Sequence, residues 1–116
     1  MTIQRMETGP RMSQIVIHGN TVYLAGVVAA EPASKNVAEQ TRNILATIDG
    51  YLAKAGTDKT KILATQIFLA DISTFAEMNS EWDKWVPQGN TPARATTEAK
   101  LATPAHKVEI MVTAAK

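Results

Sequence analysis

Apolar residues follow the pattern of strands in some segments of this chain and the spacing of helices in others. This alternation limits the fold more than any other feature. Before residue 30, short apolar and β-branched runs at residues 3–6, 15–17 and 21–29 are typical of strands. The turn signal His18-Gly19-Asn20 predicts a hairpin between the second and third runs. From Asn36 to about Gly56, apolar residues recur every three or four positions, which indicates an amphipathic helix.

The second half repeats the alternation. Residues 62–69 form a short, bulky apolar run that predicts a buried strand. The pattern Thr74-x-x-Glu77 predicts a capping box that opens a second helix, and Pro87 ends it. Two further strands are predicted at residues 93–101 and 107–114, joined by a turn at 103–106.

This order predicts an α+β fold with one six-stranded mixed sheet. Right-handed crossovers would place both helices on the same face of that sheet. The opposite face of the sheet would stay open. Residues 22–28 are apolar at both odd and even positions, so this open face would expose apolar side chains. We therefore expect a homo-oligomer in which such faces pack against one another.

Composition excludes several classes of protein. The 116 residues form one domain and contain no cysteine, which removes disulfides, thiol nucleophiles and thiolate zinc sites. Twelve basic residues balance eleven acidic ones, which argues against a nucleic-acid partner. The longest apolar run, residues 22–30, is too short to cross a membrane, and the first residues lack the pattern of a signal peptide. We expect a cytoplasmic protein with no membrane partner.

The histidines and tryptophans favour ordinary structural roles. His18 and His106 lie in predicted turns, with no second ligand at metal spacing, so no metal site is predicted. Trp82 and Trp85 are three residues apart on a predicted amphipathic helix, which favours a core or interface position over stacking on nucleobases.

Arg94 opens a predicted strand and has no acidic residue within three positions. One interpretation is a solvated edge-strand cation, or a cation paired with a distant acid. The other is a planar clamp for a small carboxylate, which a guanidinium fits better than an ammonium group does.

Two more polar residues interrupt apolar patterns. Glu109 lies between Val108 and Ile110, and a hairpin of the last two strands would place it opposite Lys100. That register would leave Arg94 roughly 20 Å away, so a site shared with Glu109 would need another strand order or a neighbouring subunit. Asn79 lies at the edge of the apolar stripe of the second helix, where it would either bind a loop backbone or face a pocket.

Several short segments resemble, in order and spacing, the Rid family of reactive-intermediate deaminases, also called YjgF/YER057c/UK114. The resemblance covers nearly the whole chain, residues 1–116. The matching segments are Gly9-Pro10 with Ser13-Gln14, residues 22–26, residues 40–45, Asp71-Ile72 with Phe75-Ala76 and Met78-Asn79, Pro92-Ala93-Arg94, and Val108-Glu109-Ile110.

The resemblance implies a chorismate-mutase-like fold of the bacillus type and a homotrimer with a barrel-like core. It also implies sites between subunits, no metal or cofactor, and hydrolysis of small 2-imino carboxylates and their enamine tautomers to 2-oxo acids and ammonia. Arg94 matches the family residue that holds the substrate carboxylate, and Glu109 matches the acid that helps to place the attacking water. Thr96 matches a segment whose backbone lines the pocket, and Asn79 matches a supporting residue of the cleft.

Two positions depart from the better-known members. Arg11 and Met12 follow Gly9-Pro10 where those members have a tyrosine, and Ala25 replaces a serine before the early glycine. A phenol and a hydroxyl are thus lost near the expected substrate, and Arg11 adds a cation. The resemblance implies an imine or enamine deaminase, and the two lost groups favour the alternative, a non-catalytic module that binds small carboxylates. The ribonuclease activity attributed to some relatives is disfavoured by the balanced charge and the few aromatic residues.

Overall fold

The computed structural model describes all 116 residues. It contains two α-helices and seven strands, with two single-turn 3₁₀ helices at Lys59–Lys61 and Ile72–Thr74. The strands are β1 (Ile3–Thr8), β2 (Ser13–His18), β3 (Thr21–Leu24), β4 (Val27–Val28), β5 (Ile62–Leu69), β6 (Ala93–Glu98) and β7 (Val108–Ala115), and the helices are α1 (Val37–Lys54) and α2 (Phe75–Trp85).

The strands form one mixed sheet in the order β1-β2-β3-β7-β5-β6, and the two-residue β4 also pairs with β7. All pairings are antiparallel except that of β5 with β6. The first hairpin is confirmed, since His18 pairs with Thr21 across the turn. The predicted strand at 21–29 is two strands, because the chain leaves the sheet at Ala25 and Gly26 before it returns as β4.

The prediction of a hairpin between the last two strands is wrong. The strand β7 pairs with β3, β4 and β5, and β5 separates it from β6. Glu109 therefore lies opposite Val28 and Phe68 instead of Lys100, which falls in the loop after β6. The physical reason is that β5 offers pairing positions to both β6 and β7, so the loop between them crosses β5.

Both helices pack on one face of the sheet, as the crossover rule predicts. At the start of α1, Asn36 and Glu39 form a reciprocal capping box. Thr74 makes no such cap on α2, so the capping box predicted there is wrong. Glu77 instead accepts a hydrogen bond from the backbone N–H of Ala38, and so caps α1.

The core lies between the helices and one face of the sheet. Alternate residues of the central strands point into it, among them Ile67 of β5 and Ile110 of β7, both fully buried. The other residues of these strands point to the opposite face of the sheet, which carries no helix. Tyr23 and Met111 lie on that open face and are 47% and 41% exposed.

Candidate functional site

Arg94 lies in the edge strand β6 and extends toward α2. Its Nη1 atom donates a hydrogen bond of 2.8 Å to Oδ1 of Asn79. Its guanidinium carbon lies 5.3 Å from the ring centre of Trp82 and 5.7 Å from that of Phe75. These distances are typical of cation–π contacts, so two rings and one amide hold the guanidinium in place. We call Arg94, Asn79, Phe75 and Trp82 the arginine cluster.

The spacing of the helix residues explains this arrangement. Phe75, Asn79 and Trp82 follow one another at four and three positions, so they lie on one face of α2. The sequence identified Asn79, favoured a core or interface position for Trp82 and gave Phe75 no role at the site. Trp82 does lie in the core, and its ring also contacts Arg94. The same spacing would have identified Phe75, had the docking of α2 against β6 been known.

The guanidinium is held without an acidic partner. The three ion pairs of the chain join Arg42 to Glu81, Lys84 to Glu81 and Lys54 to Glu7. Burial lowers the pKa of Arg94 from its ordinary value, and the charge of Asp83 opposes this shift. Because the chain supplies only one hydrogen-bond acceptor, most N–H groups of the guanidinium remain open to a ligand.

The side chain of Asn79 therefore does not take the first of the roles weighed from the sequence, a bond to a loop backbone. It binds the Arg94 side chain instead of a loop backbone, and it serves as the support of a cation. Thr96 lies two residues after Arg94 and points to the same face of the sheet, toward the helices. Its hydroxyl is buried and has no hydrogen-bond partner, and the hydroxyl of Thr65 in β5 shares this property.

Glu109 lies on the open face of the sheet. It alternates along β7 with the buried Val108 and Ile110, which face the helices. Its carboxylate lies against the backbone at Gly26, where an added Cβ would be 2.1 Å from Oε2. Ala25 adjoins this point, and its backbone N–H donates to the carbonyl of Gln14. Glu109, Gly26 and Ala25 thus form a second cluster, the glutamate cluster.

One copy of the chain does not bring the two clusters together. The strand β5 separates Arg94 from Glu109, and their side chains leave the sheet on opposite faces. Arg11 is exposed in the turn between β1 and β2, and three strands (β3, β7 and β5) lie between β2 and β6. None of the four principal surface clefts is lined by Arg94 or Glu109.

Metal-ligating residues do not gather anywhere in the chain. No group of three or more His, Asp or Glu side chains forms. His106 shares a hydrogen bond with the Thr103 hydroxyl, and His18 is exposed at the end of β2. Neither helix combines the length and apolar composition needed to cross a bilayer.

Comparison with known families places these observations in context. The family model described as Endoribonuclease L-PSP matches residues 2–116. The chain belongs to this family. A RutC family protein of Haemophilus influenzae is 48% identical over 114 residues, which are 98% of each chain. The crystal structure of NMB1025 from Neisseria meningitidis, a member of the YjgF protein family, superposes with a TM-score of 0.97 at 45% identity and covers 100% of this chain and 96% of that one.

A third member of the family carries a name that states a reaction. The 2-iminobutanoate/2-iminopropanoate deaminase of Rattus norvegicus is 32% identical over 103 residues, which are 84% of this chain and 74% of that protein. The family and the α+β fold predicted from the sequence are thus confirmed. Relatives with higher identity, such as the Haemophilus influenzae protein, have names that state the family and no reaction.

Proposed function

We propose that this protein hydrolyses small 2-imino carboxylates of the 2-aminoacrylate type to 2-oxo acids and ammonia. The observation that carries the proposal is the Arg94 guanidinium, which the chain orients through Asn79 and two aromatic rings but leaves without an acidic partner. A fixed, unpaired guanidinium with free donors suits a small carboxylate. The name of the rat relative supports the reaction at the level of the family.

The chemistry needs orientation more than strong acid or base catalysis. Two N–H groups of Arg94 would bind the carboxylate of the substrate and fix the neighbouring C=N carbon. A protonated imine is already electrophilic, so water adds to this carbon, and the C–N bond then breaks to release ammonia and leave a ketone. Glu109 would orient that water and accept its proton, a role worth about 10²- to 10⁴-fold in rate.

We further propose that the complete site forms between subunits of a homotrimer. In one chain, the arginine and glutamate clusters lie on opposite faces of the sheet, so a second copy would have to supply one of them. The open face carrying Glu109 also exposes Tyr23 and Met111, which a partner subunit would cover.

The alternative is a non-catalytic module that binds 2-oxo acids in the same cleft. Ala25 favours it, because this residue offers no hydroxyl beside the Glu109 carboxylate. The segment after Pro10 favours it as well, because Arg11 and Met12 offer no phenol there. Under this alternative Arg94 would bind carboxylates and no turnover would follow.

The proposal is tested with Arg94→Ala and Arg94→Lys. With 2-iminopropanoate generated in the assay, we expect Arg94→Ala to lower kcat/KM by about 10²-fold or more, because orientation of the substrate is lost. Arg94→Lys should recover little, since an ammonium group cannot bind a carboxylate in a planar, two-point manner. Release of 2-oxo acid is the measurement.

The matched control is Arg42→Lys, the same chemical change on the outer surface of α1. Arg42 is bound to Glu81 and lies away from the arginine cluster, so turnover should stay at the wild-type level. Wild-type protein that binds 2-oxobutanoate in calorimetry but gives no acceleration would favour the binding module. An equal acceleration over buffer by Arg94→Ala and wild type would contradict both.

A further inference from the structure

Two buried hydroxyl groups beside Arg94 have no hydrogen-bond partner in the protein. They belong to Thr65, which is 4% exposed, and to Thr96, which is partly buried. Most buried polar groups in folded proteins are hydrogen-bonded, so two orphan hydroxyls at one place require an explanation. They are the only buried side-chain oxygen or nitrogen atoms of this chain without a partner.

The register of the sheet brings these groups to the base of the Arg94 side chain. Thr65 is the direct partner of Arg94 in the parallel pairing of β5 and β6, and Thr96 pairs with Ile67 two positions further along. All three side chains point to the face covered by the helices. Diagonal neighbours on one face of a sheet are separated by roughly 7–8 Å, which two hydroxyls and one water molecule can span.

Packing alone does not account for Thr65. Valine has nearly the same shape and equal suitability for a strand, and it carries no polar atom that must be satisfied. Replacing an unsatisfied buried hydroxyl by a methyl group removes a desolvation penalty. A buried hydroxyl without a partner in the protein, beside an arginine with free N–H groups, indicates a contribution to the site.

We propose that Thr65 is a positioning residue of the carboxylate site: its hydroxyl and that of Thr96 bind one water molecule, which accepts a hydrogen bond from the inner edge of the Arg94 guanidinium. This inference rests on the proposed function for its ligand. A water molecule has two hydrogens and two lone pairs, so it can accept from Arg94 and from one hydroxyl while it donates to the other. Asn79 and this water would then hold the guanidinium at separate N–H groups and leave the remaining ones for the ligand.

The test compares ligand affinity with stability in Thr65→Val. We expect the Kd for 2-oxobutanoate to rise by about fivefold to tenfold, as for the loss of a water-mediated hydrogen bond. The midpoint of unfolding should change little, because a methyl group of nearly the same shape replaces a hydroxyl whose only partner is that water. Thr65→Ser keeps the hydroxyl and should keep the wild-type Kd. An unchanged Kd in Thr65→Val would overturn the proposal.

Thr57→Val is the matched control. The Thr57 hydroxyl is also buried, but it donates a hydrogen bond of 2.6 Å to the carbonyl of Ala115, away from Arg94. Its loss should lower the midpoint of unfolding and leave the Kd unchanged, the reverse of the pattern expected for Thr65→Val. The same pattern in both variants would mean that Thr65 is only structural.

A crystal structure at high resolution provides a readout that does not depend on any ligand. In the free protein, we expect a water molecule within about 2.7–3.2 Å of both hydroxyls and of a guanidinium nitrogen. If the wild type binds no 2-oxo acid but this water is present, the proposed function fails and the positioning of Arg94 by Thr65 stands. If no water or other oxygen atom occupies this place, the positioning role fails whatever the activity.

Discussion

Gly26 allows the Glu109 carboxylate to lie where it does. An added Cβ would meet Oε2 at 2.1 Å and the carboxylate carbon at 2.9 Å, both far shorter than a normal contact. The backbone of Gly26 has no positive φ angle, so the requirement for glycine here is one of space. The atoms in the way belong to the flexible end of a side chain, and they can move.

We expect Gly26→Ala to displace the Glu109 carboxylate with little loss of stability. The free energy of unfolding should change by less than about 1 kcal/mol, because the side chain can rotate away. The kcat should fall by about tenfold or more if Glu109 orients the attacking water. Denaturant unfolding and steady-state kinetics measure the two effects.

Gly50→Ala is a suitable control for this prediction. Gly50 lies in α1 with no atom within 4 Å of an added Cβ. Alanine there should raise the free energy of unfolding by about 0.5–1 kcal/mol and leave kcat unchanged. Full activity in Gly26→Ala would show that the position of Glu109 is unimportant for turnover.

The sequence identified single residues of the candidate site better than their partners. Arg94 was recognisable because no acid lies near it in sequence, and the structure likewise gives it no ion pair. Its actual contacts with Phe75 and Trp82 depend on how α2 docks on β6, which no local pattern encodes. The orphan hydroxyl of Thr65 was likewise out of reach, because its neighbour Arg94 lies 29 positions away.

At the scale of elements, a buried carboxylate joins the two helices. Glu81 of α2 is 8% exposed, and it accepts hydrogen bonds from Nε of Arg42 in α1 at 2.8 Å and from Nζ of Lys84 at 3.1 Å. Both hydrogen bonds lower the pKa of Glu81 from its ordinary value, and the bond from Arg42 has the larger effect. The ionised form is therefore favoured in the folded protein.

This lowered pKa predicts an acid-dependent loss of stability. A carboxylate with a depressed pKa stabilises the fold above its pKa in the unfolded chain, about 4.3, and this contribution is lost as the pH falls through the lower folded value. We expect the free energy of unfolding to fall less between pH 6 and pH 3 in Glu81→Gln than in wild type. Denaturant titrations at several pH values measure the difference.

Glu31→Gln serves as the control, because Glu31 is exposed and forms no ion pair. Its unfolding should follow the pH dependence of the wild type. If Glu81→Gln follows it too, the ion pairs between the helices contribute nothing to acid stability.

Elements with a strong local pattern were predicted well, and those set by distant contacts were not. The strand at 62–69 is confirmed to the residue, and α1, predicted from Asn36 to about Gly56, spans Val37–Lys54. The capping box at Thr74 failed because Glu77 binds the backbone of α1, a partner 39 residues away. The hairpin of β6 and β7 failed because β5 offers pairing positions to both strands.

The whole molecule presents one helical face and one open sheet face. The open face exposes Tyr23 and Met111. It also carries Glu109, which pairs with Val28 of β4. Burying such a face would remove a large apolar area from water. The trimer inferred above is the assembly that would do so, and it would complete the site at the same time.

We expect Tyr23→Glu to weaken the trimer without unfolding the subunit. A charge on the open face must be desolvated in the assembly but stays hydrated in the monomer. Sedimentation should give a smaller mass than for wild type, and turnover should fall in parallel with the loss of trimer. Circular dichroism reports whether the subunit remains folded.

Ile72→Glu places the same charge on another exposed apolar residue, 43% exposed, before α2. Its mass should equal that of the wild type. A monomeric wild-type protein with full activity would contradict both the trimer and the site between subunits.

The position of β7 in the sheet also bears on how the chain folds. The strands β1, β2 and β3 form one group in the sheet, and β5 and β6 form another. No strand of one group pairs with a strand of the other, and only β7 joins the two groups. The two groups of strands therefore cannot form one sheet until β7, the last strand of the chain, pairs with both. Such long-range closure is slow compared with local pairing. A ribosome-bound chain lacking β7 would hold two half-sheets with unpaired inner edges, and these edges are the places where premature association between nascent chains would begin.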